Sequence, residues 1–179
     1  MRKMMIAMAL SLTAISAPVG AELKDYAKAG NWDIYTDDHD CTMSAEFQST
    51  STLAIDYDAR SGLSTVRFTV PQTKSLDTGD TRQVMTVFSN GTASSIDTGW
   101  GTKTFIAIKA NEETLLTHIF DDQFLIDLVK YKTLAFFYNE RILTSYNLAD
   151  STRAIQLLRQ CAEARSRENP SDPFKFDKA

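Results

Sequence analysis

Residues 133–148, Thr-Leu-Ala-Phe-Phe-Tyr-Asn-Glu-Arg-Ile-Leu-Thr-Ser-Tyr-Asn-Leu, run straight into residues 149–161, Ala-Asp-Ser-Thr-Arg-Ala-Ile-Gln-Leu-Leu-Arg-Gln-Cys. The first stretch is dense in aromatic and β-branched residues and reads as two strands around a turn near Asn139-Glu140. The second reads as a helix. Asp150 or Ser151 is placed to accept a hydrogen bond from a free N–H of the first turn. Ala154, Ile155, Leu158, Cys161 and Ala162 fall on one face, while Arg153, Gln156, Arg159, Gln160 and Glu163 fall largely outside it. The last apolar face of the chain therefore carries a cysteine that points inward.

The other cysteine, Cys41, is also in phase with a core. Cys41, Met43, Ala45 and Phe47 alternate with Thr42, Ser44, Glu46 and Gln48, the pattern of a half-buried strand. Two inward cysteines predict a Cys41–Cys161 disulfide that pins the helix to the sheet; the alternative is two separate buried thiols.

Residues 1–21 read as a secretory signal peptide. Arg2 and Lys3 form the positive start, residues 4–15 a short apolar run, and Val19 and Ala21 the small residues before the cut. The run is too short to span a bilayer, which takes about 20 apolar residues. Cleavage near Ala21 places the chain in the periplasm or outside the cell, where disulfides persist. The expected division is signal peptide 1–21, a single β-rich domain 22–165 and a flexible tail 166–179. The formal net charge is −4 and becomes more negative once Arg2 and Lys3 leave. An acidic chain without a Lys/Arg run argues against nucleic acid or an anionic membrane as partner. With 43% hydrophobic residues the domain can bury a core that need not depend on its disulfide.

The middle of the chain reads as short strands at 31–36, 41–48, 52–57, 65–70, 83–88, 92–96 and 104–109. Turn chemistry separates them at Arg60-Ser61-Gly62, Asp77-Thr78-Gly79, Asn90-Gly91 and Gly99-Trp100-Gly101. Short connections with period-two alternation mean antiparallel pairing. Residues 31–109 are thus expected to be almost wholly strand. Helices are expected at 121–130, capped by Asp121, and at 151–164. The fold class is mainly β with C-terminal helices: β-sandwich-like antiparallel sheets with one helix packed by a disulfide.

Several motifs bear on chemistry. Asp-Thr-Gly, the aspartic-protease signature, occurs at Asp77-Thr78-Gly79 and Asp97-Thr98-Gly99. The copies lie too close together for each to carry its own lobe, and the tripeptide is favoured in turns for local reasons. Asp37, Asp38, His39 and Asp40 offer oxygen and nitrogen ligands for a divalent metal. Adjacent side chains rarely converge on one ion, so a solvated acidic turn is the expectation. Asn90-Gly91-Thr92 matches a glycosylation acceptor but reads better as a hairpin turn. No nucleophile–base arrangement, phosphate loop or dinucleotide fingerprint can be assembled, so neither a catalytic residue nor a cofactor is assigned. Trp32 reads as core. Trp100, flanked by Gly99 and Gly101 in a turn, is the candidate anchor for a partner, and its alternative place is back over the sheet edge.

A helix, a hydrophobic hairpin and then Tyr146-Asn-Leu-Ala-Asp-Ser-Thr-Arg-Ala-Ile-Gln-Leu-Leu-Arg159 resemble the ending of small exported α-proteobacterial proteins, including the invasion-associated locus B family. The resemblance covers about a third of the chain. The glycine usual there before the last helix is replaced by Ala149-Asp150. It implies a β-sandwich-like exported protein with a role in envelope or host interaction, and it transfers no functional residue. The expected function is a non-catalytic binding protein for a protein or envelope component. A periplasmic inhibitor or immunity protein and an unrecognised hydrolase are the alternatives.

Overall fold

The computed structural model describes residues 24–37, 40–47, 51–91, 98–110 and 113–168. The signal-peptide reading, the strand expected at 92–96 and residues 169–179 of the expected tail lie outside them. The described chain forms strands β1 (Lys24–Ala29), β2 (Trp32–Thr36), β3 (Cys41–Phe47), β4 (Ser51–Asp58), β5 (Leu63–Thr69), β6 (Thr81–Ser89), β7 (Thr98–Ala110) and β8 (Glu113–Phe120). Helix α1 (Gln123–Lys130), strands β9 (Thr133–Tyr138) and β10 (Arg141–Asn147) and helix α2 (Ser151–Glu168) follow. The strands make one sheet in the order β1-β2-β3-β4-β5-β8-β7-β6-β9-β10. Every described pairing is antiparallel, as short connections require.

The sheet bends on itself. Phe68 on β5 stacks on Phe136 on β9, with ring centres 4.2 Å apart, although these strands are not neighbours in the sheet. Phe47 on β3 meets Tyr146 on β10 at 4.7 Å, and the Ser51 and Thr144 hydroxyls lie 3.1 Å apart. These contacts bring the inner faces of the two halves together, the sandwich-like packing expected from the alternation. Phe68, Phe88, Phe105, Phe124 and Phe136 are all fully buried between them.

Helix α2 covers β1 to β4 with the face read from its spacing: Ala154, Ile155, Leu158, Cys161 and Ala162 are buried. Cys41 and Cys161 are disulfide-bonded, their Cα atoms 6.0 Å apart. The Trp32 indole donates to the Ala149 carbonyl at 3.0 Å, and Arg165 Nε donates to the Thr36 hydroxyl at 2.9 Å. Arg159 pairs with Asp122 of the α1 entry at 2.6 Å. Asp150 takes φ +63°, a conformation that favours glycine. Gly30, at φ +58°, packs against it so closely that a Cβ there would lie 2.1 Å from the carboxylate.

The structure adds two strands to the sequence reading and corrects it at several further points. The polar residues at the start form an edge strand, β1, whose pairing to β2 alone leaves most of its side chains in solvent and erases alternation. Strand β8 was hidden because Leu115, Leu116, Ile119 and Phe120 recur at helical spacing; its apolar Ile119 lies on the outer face, 59% exposed. A 3₁₀ turn at Pro71–Ser75 interrupts the all-strand reading, started by Pro71 and held by the Thr73 hydroxyl on the Val70 and Thr114 carbonyls. Helix α2 runs to Glu168, past the expected stop at Ala164 and into the segment expected to be tail. The Ser151 hydroxyl donates to the Leu128 carbonyl at 2.7 Å, joining α2 to the end of α1 instead of capping its own helix. Asp121, expected to cap α1, accepts the Gln123 N–H at 3.2 Å from one position further out, since the cap position falls to Asp122, whose side chain makes no cap hydrogen bond. Asn139 and Glu140 both take positive φ, the geometry of a two-residue hairpin turn.

Candidate functional site

Gly99, Trp100 and Gly101 lie in strand β7, not in a turn. Thr86 of β6 pairs with Gly101 and Val87 with Gly99, so Trp100 is the extra residue of a β-bulge. Gly101 takes φ +69°, which a bulged strand reaches most easily with glycine. Trp100 is half-buried. Its ring meets Phe120 at 5.4 Å and Phe124 at 5.7 Å, edge-on, and its indole donates to Asp127 of α1 at 2.9 Å. The bulge thus turns this side chain back onto the wall between β7 and α1, the alternative place expected for it.

The other sequence candidates are dispersed. Asp37 and Asp40 close a tight turn, with the Asp40 N–H on the Asp37 carboxylate at 2.7 Å, while Asp38 and His39 lie outside the described residues. Among the described residues no three His, Cys, Asp or Glu side chains are grouped to hold a metal ion. Asp77 is engaged by Lys109, whose ammonium holds the carboxyl below its usual range. Asp97, its supposed protease partner, is outside the described residues. His118 lies between Phe105 and Phe120 with Nδ1 3.0 Å from the Thr104 carbonyl, and burial holds its pKa below the ordinary value.

A concavity of about 1140 Å³ opens at one end of the sandwich. The turn before β2, the ends of β3 and β10, the exit of α1 and the start of α2 converge there. Its floor is aromatic: Trp32 and Tyr146 are buried, and Phe47 sits between them at 6.2 Å and 4.7 Å. The rim is polar, with Asn31, Lys130, Lys132, Ser145, Asn147 and Thr152. Lys130 stands 5.1 Å from the centre of the Tyr131 ring. The Asn147 side-chain oxygen accepts the Ala149 N–H at 2.9 Å, which fixes the amide's orientation.

Among the described residues, Glu46 is the one carboxylate lining this cleft. The buried Tyr146 hydroxyl reaches the Thr52 carbonyl at 3.4 Å, and burial pushes the phenol well above its usual range, so it stays protonated at neutral pH. Among the described residues the arrangement supplies hydrogen bonds and positive charge, with Glu46 as its single carboxylate and no second carboxylate or histidine facing it. Sequence reasoning missed this set because its members read as structural: Asn31 as the start of a strand, and Lys130 and Lys132 as cations at a helix end, where the dipole favours them. Only folding brings Asn31 and Asn147 to the lining of one cleft.

No family model matches the chain, and no curated protein matches it in sequence. Among solved structures it is similar to the crystal structure of invasion associated protein B from Bartonella henselae, with a TM-score of 0.53 at 14% identity, over 76% of this chain and 97% of that chain. At such low identity the likeness is one of fold, and the fold is the one that the C-terminal resemblance implied.

Proposed function

We propose that the chain is an exported, non-catalytic binding protein that works outside the cytoplasm, in the envelope or at the host interface. The observation that carries this reading is the cleft, an aromatic floor with an amide, hydroxyl and ammonium rim and one carboxylate. Such a lining recognises a ligand without machinery for proton transfer. The buried disulfide supports an oxidising compartment, periplasmic or extracellular, after cleavage near Ala21. The fold shared with invasion associated protein B supports an exported setting. No helix among the described residues is long and apolar enough to cross a membrane. Binding is not rested on Gly99, Trp100 and Gly101, because the Trp100 ring is engaged by Phe120, Phe124 and Asp127. The inhibitor reading needed a projecting loop there, so it lacks support from this geometry.

The test is capture of partners from a periplasmic extract by the immobilised chain, beside Lys132→Glu. Lys132 is exposed at the rim, so the variant should fold normally and lose most of the captured partner. Capture that is indifferent to Lys132→Glu, or turnover of a hydrolase substrate by the purified chain, would overturn the proposal.

A further inference from the structure

A second groove, of about 530 Å³, lies between the Pro71–Ser75 turn and the β9–β10 hairpin. Its floor is core: Leu76, Val84 and Leu116 are 7%, 0% and 2% exposed. Its outer wall is Tyr138, Ile142 and Leu143, and here the apolar surface reaches solvent, with Ile142 50% and Tyr138 36% exposed. Ile142 and Leu143 are consecutive, and in a regular strand they would point to opposite faces. The pairing of β10 with β9 shifts between Ile142 and Thr144, leaving Leu143 as an extra residue, and both side chains line the groove. A bulge that re-aims a side chain in this way is a recurrent device at binding sites.

The charges in the groove are of one sign. Arg82 and Arg141 line it, and no Asp or Glu does so among the described residues. Asp80 and the Thr81 carbonyl steady the Arg82 guanidinium from one side, at 3.6 Å and 2.8 Å, leaving further N–H donors on its fork. Arg141 is exposed and makes no ion pair with the described residues. An apolar trough with guanidinium groups at its margin, in a chain of net charge −4, is complementary to a ligand that is greasy along its length and anionic at one end.

We infer that this groove binds a single-chain anionic amphiphile, a free fatty-acid-like carboxylate. The acyl chain lies on Leu76, Val84 and Leu116 under Ile142 and Tyr138, and the carboxylate meets Arg141 and Arg82. The site is separate from the cleft and does not rest on the function proposed for it. A bilayer surface is not the occupant, since the trough is concave and its floor belongs to the core.

The test is calorimetric titration of the full chain with dodecanoate below its micellar concentration. Saturable one-site binding is expected, with octanoate weaker by far more than tenfold, because each buried methylene contributes roughly fourfold. Dodecanol, which keeps the chain and loses the charge, should bind several-fold more weakly. Ile142→Glu sets a carboxylate in the path of the acyl chain and should weaken dodecanoate at least tenfold; Arg141→Glu should do likewise through the head group. Both positions are exposed, so thermal unfolding should match wild type, and if Ile142→Glu does not fold, Arg141→Glu decides. The inference is overturned by a titration without saturation, by equal affinity in Arg141→Glu, or by binding to anionic vesicles with none to dissolved dodecanoate.

Discussion

Removing the Cys41–Cys161 disulfide with a Cys41→Ala/Cys161→Ala double variant should cost stability chiefly through the unfolded chain. The bond joins residues 120 positions apart. In the loop-entropy account, opening a loop of that length removes about 5 kcal/mol, near the top of the range seen for disulfides. For a chain of this size each kcal/mol moves the melting temperature by about 2–4 °C, so the variant should melt about 10–20 °C lower. The folded state should change little. Helix α2 keeps its buried Ala154, Ile155, Leu158 and Ala162, the Trp32–Ala149 hydrogen bond and the Arg159–Asp122 pair. Guanidinium unfolding followed by far-ultraviolet circular dichroism gives the free energy, and its slope against denaturant should steepen as the freed unfolded chain exposes more surface. Hydrogen exchange at moderate denaturant should still find α2 protected. A loss below about 1 kcal/mol, set against the loop-length expectation, would refute the entropic reasoning. So would an α2 that frays in an otherwise intact sheet, since the bond would then be acting on the folded state.

Trp100→Ala should destabilise the chain by about 3 kcal/mol, the low end for a large aromatic because the ring is only half-buried, and Trp100→Phe by about 1 kcal/mol for the lost bond to Asp127. Urea unfolding checks both; a fully stable Trp100→Ala that fails to capture its partner would make Trp100 a contact residue and reject the packing argument. Alkaline pH should destabilise the protein through Tyr146. Burial raises its phenol above the ordinary 10.0, so as pH climbs through that value the unfolded state releases a proton that the folded state keeps. Tyr146→Phe should flatten the loss of melting temperature above pH 10, where wild type falls more steeply; parallel profiles would show that the phenol is not responsible.

Much of this protein is legible in its sequence. The alternation of Cys41, Met43, Ala45 and Phe47 identified β3, the spacing from Ala154 to Ala162 identified the docked face of α2, and both cysteines fell on those faces. Such signals are readable because burial on one side of a strand or helix imposes a period on neighbouring residues, whatever the rest of the fold does. The signal fails where burial is one-sided in an unusual way. Edge strand β1 leaves most of its side chains in solvent and buries Ala29 at its end, and β8 carries the apolar Ile119 outward, so neither shows a clear period. Trp100 was misplaced in a turn because the local sequence, glycine on either side, is the same for a turn and for a bulged strand; the choice fell to Phe120, Phe124 and Asp127, which supply its partners. Tertiary structure alone decided the strand order, the folding of the sheet that sets Phe68 on Phe136, and the gathering of Asn31 and Asn147 into the lining of one cleft. These are contacts between distant segments, made when a bent sheet closes over its core, and a contact of that kind leaves no periodic trace in the residues on either side of it.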